Sequence, residues 1–278
     1  MKKIAVIGMV GNSAFLPVSR FHQGGETVIA HSVHFEPGGK GYNQAVAAAR
    51  CGASVSFLGA VGTDGYESIR DFSRQEGMDA MLPKKEGQTA YAAILTDAQG
   101  NNHVTVYQGP SLTEADVEAF RSRIAQADLL LLNNEVPETV NCKAAQIAKE
   151  KGVRVLLNPA PGRVLSEKLI ALTDLFTPNE YEAEYLPDQQ NLVITLGSRG
   201  AFLKERGITV PVFSAGQAVD TTGAGDTFTG VLAVMLAEGK DLEEAARIAS
   251  VASGIGVTRR YAATSIPTRE EIRQYINL

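Results

Sequence analysis

The residues Asp220-Thr221-Thr222-Gly223-Ala224-Gly225-Asp226-Thr227-Phe228 place a turn of small residues directly before a carboxylate. The run that follows, Asp226 to Ala237, has the length and apolar spacing of a buried helix, so the turn feeds a helix N-terminus. The first N–H groups of such a helix lack internal acceptors, and glycines let a charged ligand come close to them. A developing negative charge would be stabilised there, and Asp226 is placed to accept a proton from a hydroxyl bound beside it. The same residues also fit a plain loop followed by a favourable first-turn carboxylate. Local chemistry leaves both readings open.

Four further segments carry candidate chemistry. Gly38-Gly39-Lys40-Gly41-Tyr42-Asn43-Gln44-Ala45 lacks the GxxxxGK[ST] spacing of a P-loop; alone it reads as a strand-to-helix turn capped by Asn43. Glu135 follows the apolar run Leu131-Leu132, at the end of a strand where open α/β sheets bind ligands, although a loop glutamate is commonly just solvated. Pro178, Glu180 and Glu182 suit a helix start. Thr195-Leu196-Gly197-Ser198-Arg199-Gly200 alone fits a β-turn.

Taken in order, GGKGYNQA, Asn158-Pro159-Ala160-Pro161, Thr177-Pro178-Asn179-Glu180-Tyr181-Glu182, Ile194 to Gly200 and DTTGAGDTF resemble the motifs of the ribokinase-like (PfkB) carbohydrate kinases. The resemblance spans nearly the whole chain. It implies ATP-dependent transfer of a phosphoryl group, a reaction that needs positioning, deprotonation of the acceptor and neutralisation of charge. It assigns Asp226 as the base for a primary hydroxyl, and Gly223, Ala224 and Gly225 as the anion hole. Gly39, Lys40, Asn43 and Glu135 would face the sugar. Thr195, Gly197, Ser198 and Gly200 would line the nucleotide phosphates. Asn179 and Glu182 match a pattern linked to magnesium and phosphate through water, and magnesium needs few protein ligands. Asp220 and the Thr222 carbonyl, with Ser265 nearby, match a monovalent-cation site that implies potassium, although Tyr261 replaces a glycine usual in that loop.

One departure concerns the acceptor. The family follows its first strand with Gly, two residues, Asn, one residue and Asp, whereas this chain reads Gly8-Met9-Val10-Gly11-Asn12-Ser13. A carboxylate that would hold secondary hydroxyls is missing, and such a loss changes which substrate fits. A one-residue shift would let Asn12 supply one contact. The readings carried forward are a kinase of a small, ribose-like sugar, a nucleoside kinase whose lid aromatics Phe15, Phe35, Tyr91 and Tyr107 would meet a base, and a non-catalytic sugar sensor. An intact Asp226 and anion turn argue against the sensor. Gly8 and Gly11 do not make GxGxxG, which argues against a nicotinamide enzyme.

Strand-like and helix-like segments alternate, predicting an α/β fold with a mostly parallel, Rossmann-like sheet flanked by helices. The expected order is strand 4–7, helix 41–51, strand 55–60, helix 64–76, helix 114–126, strand 128–132, helix 138–151, strand 153–157 and strand 174–176. Thr113 and Asp241 stand near capping-box spacing. Residues 10–36 and 88–107 break the pattern with β-rich, half-polar runs joined by a hairpin turn at Asp97 to Asn102. They read as a small β-sheet, which the resemblance makes a lid over the sugar and a homodimer contact within one kinase domain, 1–278. The stretch Tyr185 to Asn191 is shorter than the helical excursion usual there.

Composition fits a folded chain: 278 residues, 44% hydrophobic and 21% charged. The net charge of -5, without a Lys/Arg run, gives no field for nucleic acid or anionic lipid. The lysines at the start precede an apolar run broken by glycines, which reads as a first strand, and no window reaches a membrane span. Cys51 and Cys142 belong to no CxxC or Cys/His cluster and are expected to be reduced core thiols in a cytoplasmic protein. His22, His31 and His34 lie in the lid segment and His103 has no evident partner; their spacing does not make a zinc site.

Overall fold

The structure, a computed structural model, describes residues 1–97 and 101–276. The first half runs β1 (Lys3–Ile7), β2 (Gly11–Pro17), β3 (His34–Gly38), α1 (Lys40–Arg50), β4 (Ser54–Leu58), α2 (Glu67–Gln75), β5 (Asp79–Met81), β6 (Ala90–Thr96) and β7 (Asn102–Tyr107). Then come α3 (Glu114–Ala119), α4 (Arg121–Ala125), β8 (Leu129–Asn133), α5 (Glu138–Glu150), β9 (Arg154–Asn158), α6 (Glu167–Leu172), β10 (Leu175–Phe176) and α7 (Glu180–Ala183). The chain closes with β11 (Val193–Thr195), β12 (Ala201–Leu203), β13 (Ile208–Val210), α8 (Ala224–Ala237), α9 (Leu242–Gly256) and α10 (Arg269–Arg273).

The main sheet has strand order β10-β9-β8-β1-β4-β5, and every pair in it is parallel. Such a sheet is buried on both faces, which is why β8 reads Leu-Leu-Leu-Leu-Asn with every residue buried. One face carries Ile4, Val6, Leu129 and Leu131 into a core shared with α1, α8 and α9; the other carries Ile7, Leu130 and Leu132 against α3, α4, α5 and α6. Cys51 and Cys142 are buried free thiols in these two cores. No described helix is long and apolar enough to cross a membrane.

The segments that broke the alternation form a sheet of their own, ordered β3-β2-β6-β7. In it β2 pairs antiparallel with β3 and parallel with β6, so Gly11, Ser13, Phe15, His34, Glu36, Ala90, Ala92 and Ile94 share one face. The centre of the predicted hairpin turn, 98–100, lies outside the described residues; its flanks pair as Thr96 with Asn102.

Some boundaries differ from expectation. Helix α2 starts at Glu67 rather than 64 because Asp64 is engaged elsewhere: its carboxylate accepts the Thr89 N–H at 2.8 Å and its carbonyl accepts the Thr89 hydroxyl. The segment 114–126 is two short helices that meet at Phe120, and Val117, Phe120 and Ile124 all reach the second core. Thr113 forms the full capping box with Asp116, while Asp241 caps α9 by accepting from the Glu243 and Glu244 N–H groups without the reciprocal bond. The short 185–191 connection carries no helix between α7 and β11; parallel bridges join Leu192, just before β11, to Phe176 at the end of β10, and Thr195 in β11 to Asn179.

Candidate active site

The strand order reverses direction between β1 and β8, so a crevice opens beyond their C-terminal ends, the usual ligand position in such sheets. Asn133 ends β8 and donates from Nδ2 to the Ile7 carbonyl at 3.0 Å, tying the two strands where they diverge. Gly39 and Glu135 emerge on either side. Gly39 is the N-cap of α1 at φ +113°, without a side-chain cap. The Glu135 carboxylate fills that role from the neighbouring loop, accepting the Lys40 N–H at 2.8 Å. Asn43, which local reasoning made the cap, lies inside the helix and points elsewhere.

It points at Asp226. Helices α1 and α8 pack so closely that a Cβ on Gly230 would stand 2.7 Å from the Ala47 Cβ, so only glycine permits the approach. That contact brings Asn43 Nδ2 to 3.2 Å from Asp226 Oδ2 and Gln44 Nε2 to 3.1 Å from Asp226 Oδ1. Gln44 Nε2 also donates to Asn158 Oδ1 at 3.0 Å, and Asn158 Nδ2 to the Thr177 carbonyl at 2.6 Å. Asp226 is therefore fixed by both oxygens, with the ends of β9 and β10 behind it.

Burial pushes the Asp226 carboxyl above its usual range, and the Lys40 charge with the Asn43 and Gln44 N–H donors opposes this. Lys40 is held in its charged form chiefly by Asp226, then by Glu135 and Glu182. Glu135 is pushed up to about 7, first by burial and then by the Asp226 charge. The site thus joins one ammonium with several carboxylates, two of which are disfavoured as anions. A hydroxyl bound between them would meet a desolvated base.

The turn before Asp226 has the expected geometry. Gly223 is the N-cap of α8 in the left-handed region at φ +75°, and no side chain caps the helix. The Ala224 N–H is taken by the Thr221 carbonyl at 3.2 Å, whereas Gly225 is exposed with nothing within 4 Å of its Cβ position. The open space at this helix start is therefore over Gly225.

Shortly after β10, Asn179 and Glu182 form a reciprocal capping box at the start of α7, with bonds of 2.8 and 2.9 Å. The helix-start reading holds, and the box engages one Glu182 oxygen, Oε2. Thr195 pairs with Asn179 and donates to the Pro178 carbonyl, which puts the start of Thr195 to Gly200 beside α7. Gly197 and Ser198 occupy an exposed 3-10 turn between β11 and β12, and Gly200 follows at φ +94°.

Asp220 is 8% exposed and has no ion pair among the described residues. Its oxygens accept the Thr222 N–H and the Tyr261 N–H, each at 2.9 Å. It is thus a buried carboxylate held by backbone N–H groups, with no countercharge among the described residues. Ser265 lies in the adjoining turn and donates its hydroxyl to the Ala262 carbonyl at 2.8 Å.

The missing acceptor is not replaced by Asn12. Its amide is turned to the opposite face of β2, donating to the Gly65 carbonyl at 2.8 Å and accepting the Ser68 hydroxyl at 2.7 Å. Nor does Gly11 leave a hole, because a Cβ there would overlap the Ala90 backbone. Ser13, 6% exposed, stands against Gly38. His34 stacks on Tyr261 at 3.8 Å between ring centroids, and His103 stacks on Phe21 at 3.7 Å.

Sequence reasoning missed Gln44 and Glu36. Gln44 stood inside the quoted motif, but its contact with Asp226 joins residues from opposite ends of the chain. Glu36 carried no motif signal; apart from His34, its hydrogen-bond partners lie beyond residue 260.

Residues 1–269 match the family described as pfkB family carbohydrate kinase. A ribokinase of Haemophilus influenzae is 37% identical over 302 aligned positions, covering 99% of this chain and 98% of the relative. The solved structure of ribokinase from Giardia lamblia superposes with a TM-score of 0.89 at 29% identity, covering 99% of this chain and 100% of that one. Arabidopsis thaliana ribokinase complexed with ribose and ATP gives 0.85 at 26% identity, covering 100% of both chains.

Proposed function

The chain belongs to the pfkB family of carbohydrate kinases, and from that premise we propose that it transfers the γ-phosphate of ATP to a primary hydroxyl of a small, ribose-like sugar. The observation that carries the reading is the desolvated Asp226 carboxylate, held through both oxygens directly behind an uncapped helix N-terminus. The Arabidopsis relative, solved with ribose and ATP, supports the same pair of ligands here.

In this reading Asn43, Lys40, Gly39 and Glu135 hold the sugar with its primary hydroxyl against Asp226. The buried Asn43 Oδ1 has no partner and is free to accept a sugar hydroxyl. Asp226 takes the hydroxyl proton as the oxygen attacks, and the N–H groups at Gly225 receive the charge on the phosphoryl oxygens. The nucleotide lies along Thr195 to Gly200, beside Asn179. Glu182 would hold magnesium through water, and Asp220 with the Thr222 carbonyl would hold potassium; bound there, these cations neutralise phosphate charge and stiffen the turn. The β3-β2-β6-β7 sheet acts as the lid. Its outward face exposes Phe35, Tyr91 and Tyr107 at 64%, 41% and 53%, which supports a homodimer through the lid.

The placement of those aromatics also favours a sugar over a nucleoside. Phe35, Tyr91 and Tyr107 share the face opposite Ser13 and Glu36, and Phe15 is 1% exposed, so none of them offers a free ring to a base. A coupled ADP-release screen across pentoses, hexoses and nucleosides tests the proposal. ATP-dependent turnover of a small sugar is expected; exclusive turnover of nucleosides, or tight sugar binding without turnover, would overturn it.

A further inference from the structure

Glu36 is a buried carboxylate on β3, 5% exposed, outside every motif above. It accepts the N–H groups of three consecutive residues, Ala262, Ala263 and Thr264, at 2.8, 2.9 and 3.1 Å, and the Thr264 hydroxyl at 2.7 Å. Consecutive N–H groups converging on one anion form a backbone nest, here filled by a side chain from another sheet. His34, two residues earlier on the same face, lies 3.4 Å from Glu36 and stacks on Tyr261 at an interplanar angle of 12°.

The clamped turn borders a strained residue. Tyr261 has φ +77°, and it is the non-glycine residue with positive φ among those described. A bulky side chain rarely holds that conformation unless its surroundings impose it. Here it aims the Tyr261 N–H at Asp220 Oδ2, while Asp220 Oδ1 holds the Thr222 N–H immediately before Gly223. Hydrogen bonds joined by single backbone links thus connect Glu36, through the 261–264 turn and Asp220, to the turn that starts α8.

We propose that Glu36 is a positioning residue: from the lid strand it locks the 261–264 turn, holds Tyr261 in its left-handed conformation, and so sets the turn that receives the phosphoryl group. The inference rests on the kinase reading above. It makes the lid and the phosphate side one mechanical unit, since the residues that cover the acceptor also fix the anion turn.

The test is steady-state kinetics of the full-length enzyme with the panel sugar it turns over fastest. Glu36→Gln keeps the volume but presents an NH2 group to N–H donors. Its kcat is expected to fall between about 10-fold and about 100-fold, as for a displaced catalytic element, with the acceptor KM changed less than about threefold. Adding Tyr261→Gly should recover most of that loss, because glycine holds positive φ without the clamp. A purely structural Glu36 would lower the folded fraction, measured by active-site titration, without this rescue. Unchanged kcat in folded Glu36→Gln, or no recovery in the double variant, overturns the inference. Should Glu36→Gln not fold, Thr264→Val removes one clamp bond; a fall of about threefold in kcat supports the proposal and unchanged kcat contradicts it. Wild-type enzyme inactive on every sugar defeats the kinase reading itself, a different result from an active wild type matched by Glu36→Gln.

Discussion

Replacing Gln44 with Met tests how the base is held. Gln44 is fully buried and donates to Asp226 Oδ1 at 3.1 Å, so Met preserves volume and removes one N–H from an ionised acceptor. Hydrogen bonds to charged groups contribute about 1.5–3 kcal/mol, and each ~1.4 kcal/mol is tenfold in rate, so kcat should fall about 10- to 100-fold. Asn43 at 3.2 Å and the Lys40 charge remain, and so the base is weakened rather than lost. The sign of the pH effect follows. The Gln44 bond favours ionised Asp226 against burial, so its removal raises the Asp226 pKa further. Activity needs the ionised form, and the acid limb of the kcat profile should move to higher pH, with the deficit shrinking as pH rises. Lys40, Glu135 and Glu182 also bear on this charge cluster and are unchanged in the variant. The Asn158 oxygen left without its donor should lower Tm by a few degrees, a loss that does not move a pH limb. An acid limb at the wild-type position, with kcat within about twofold, would refute the reasoning.

Three further outcomes are expected. Glu135, raised from 4.5 to about 7, favours the folded state below the lower value and gives this up as pH rises through the higher one, so Glu135→Gln should raise Tm at pH above about 7 in calorimetry while weakening acceptor binding. Ser13→Asp should raise kcat/KM for a pentose with vicinal secondary hydroxyls relative to its deoxy analogue, read in the same coupled assay; an unchanged ratio would remove Ser13 from the acceptor contacts. Phe35→Glu should shift the sedimentation coefficient from dimer to monomer, and a monomeric wild type would contradict the lid contact.

The layout of the fold was legible because parallel strands buried on both sides, such as Leu129 to Leu132, write continuous apolar runs bounded by turns. The turn that leads into α8 was legible because small residues, a carboxylate and a following apolar helix sit within one short window. Boundaries set by distant contacts were not. The late start of α2 depends on Asp64 meeting Thr89, and the bond from Asn43 to Asp226 joins α1 to α8 across nearly the whole chain, which the local motif alone, fitting a cap as well as a site, does not show. Glu36 was invisible for the same reason, since its charge matters only once β3 meets the 262–264 turn.

The central claim, that a sugar hydroxyl loses its proton to Asp226, is tested most directly by Asp226→Asn. Asn preserves shape and can still bond Asn43 or Gln44, but it cannot accept the proton. General-base catalysis contributes about 100- to 10,000-fold, so single-turnover phosphorylation of the sugar should fall by at least about 100-fold, while calorimetry finds an ATP analogue and the sugar still bound. Near-normal turnover in folded Asp226→Asn would contradict the account.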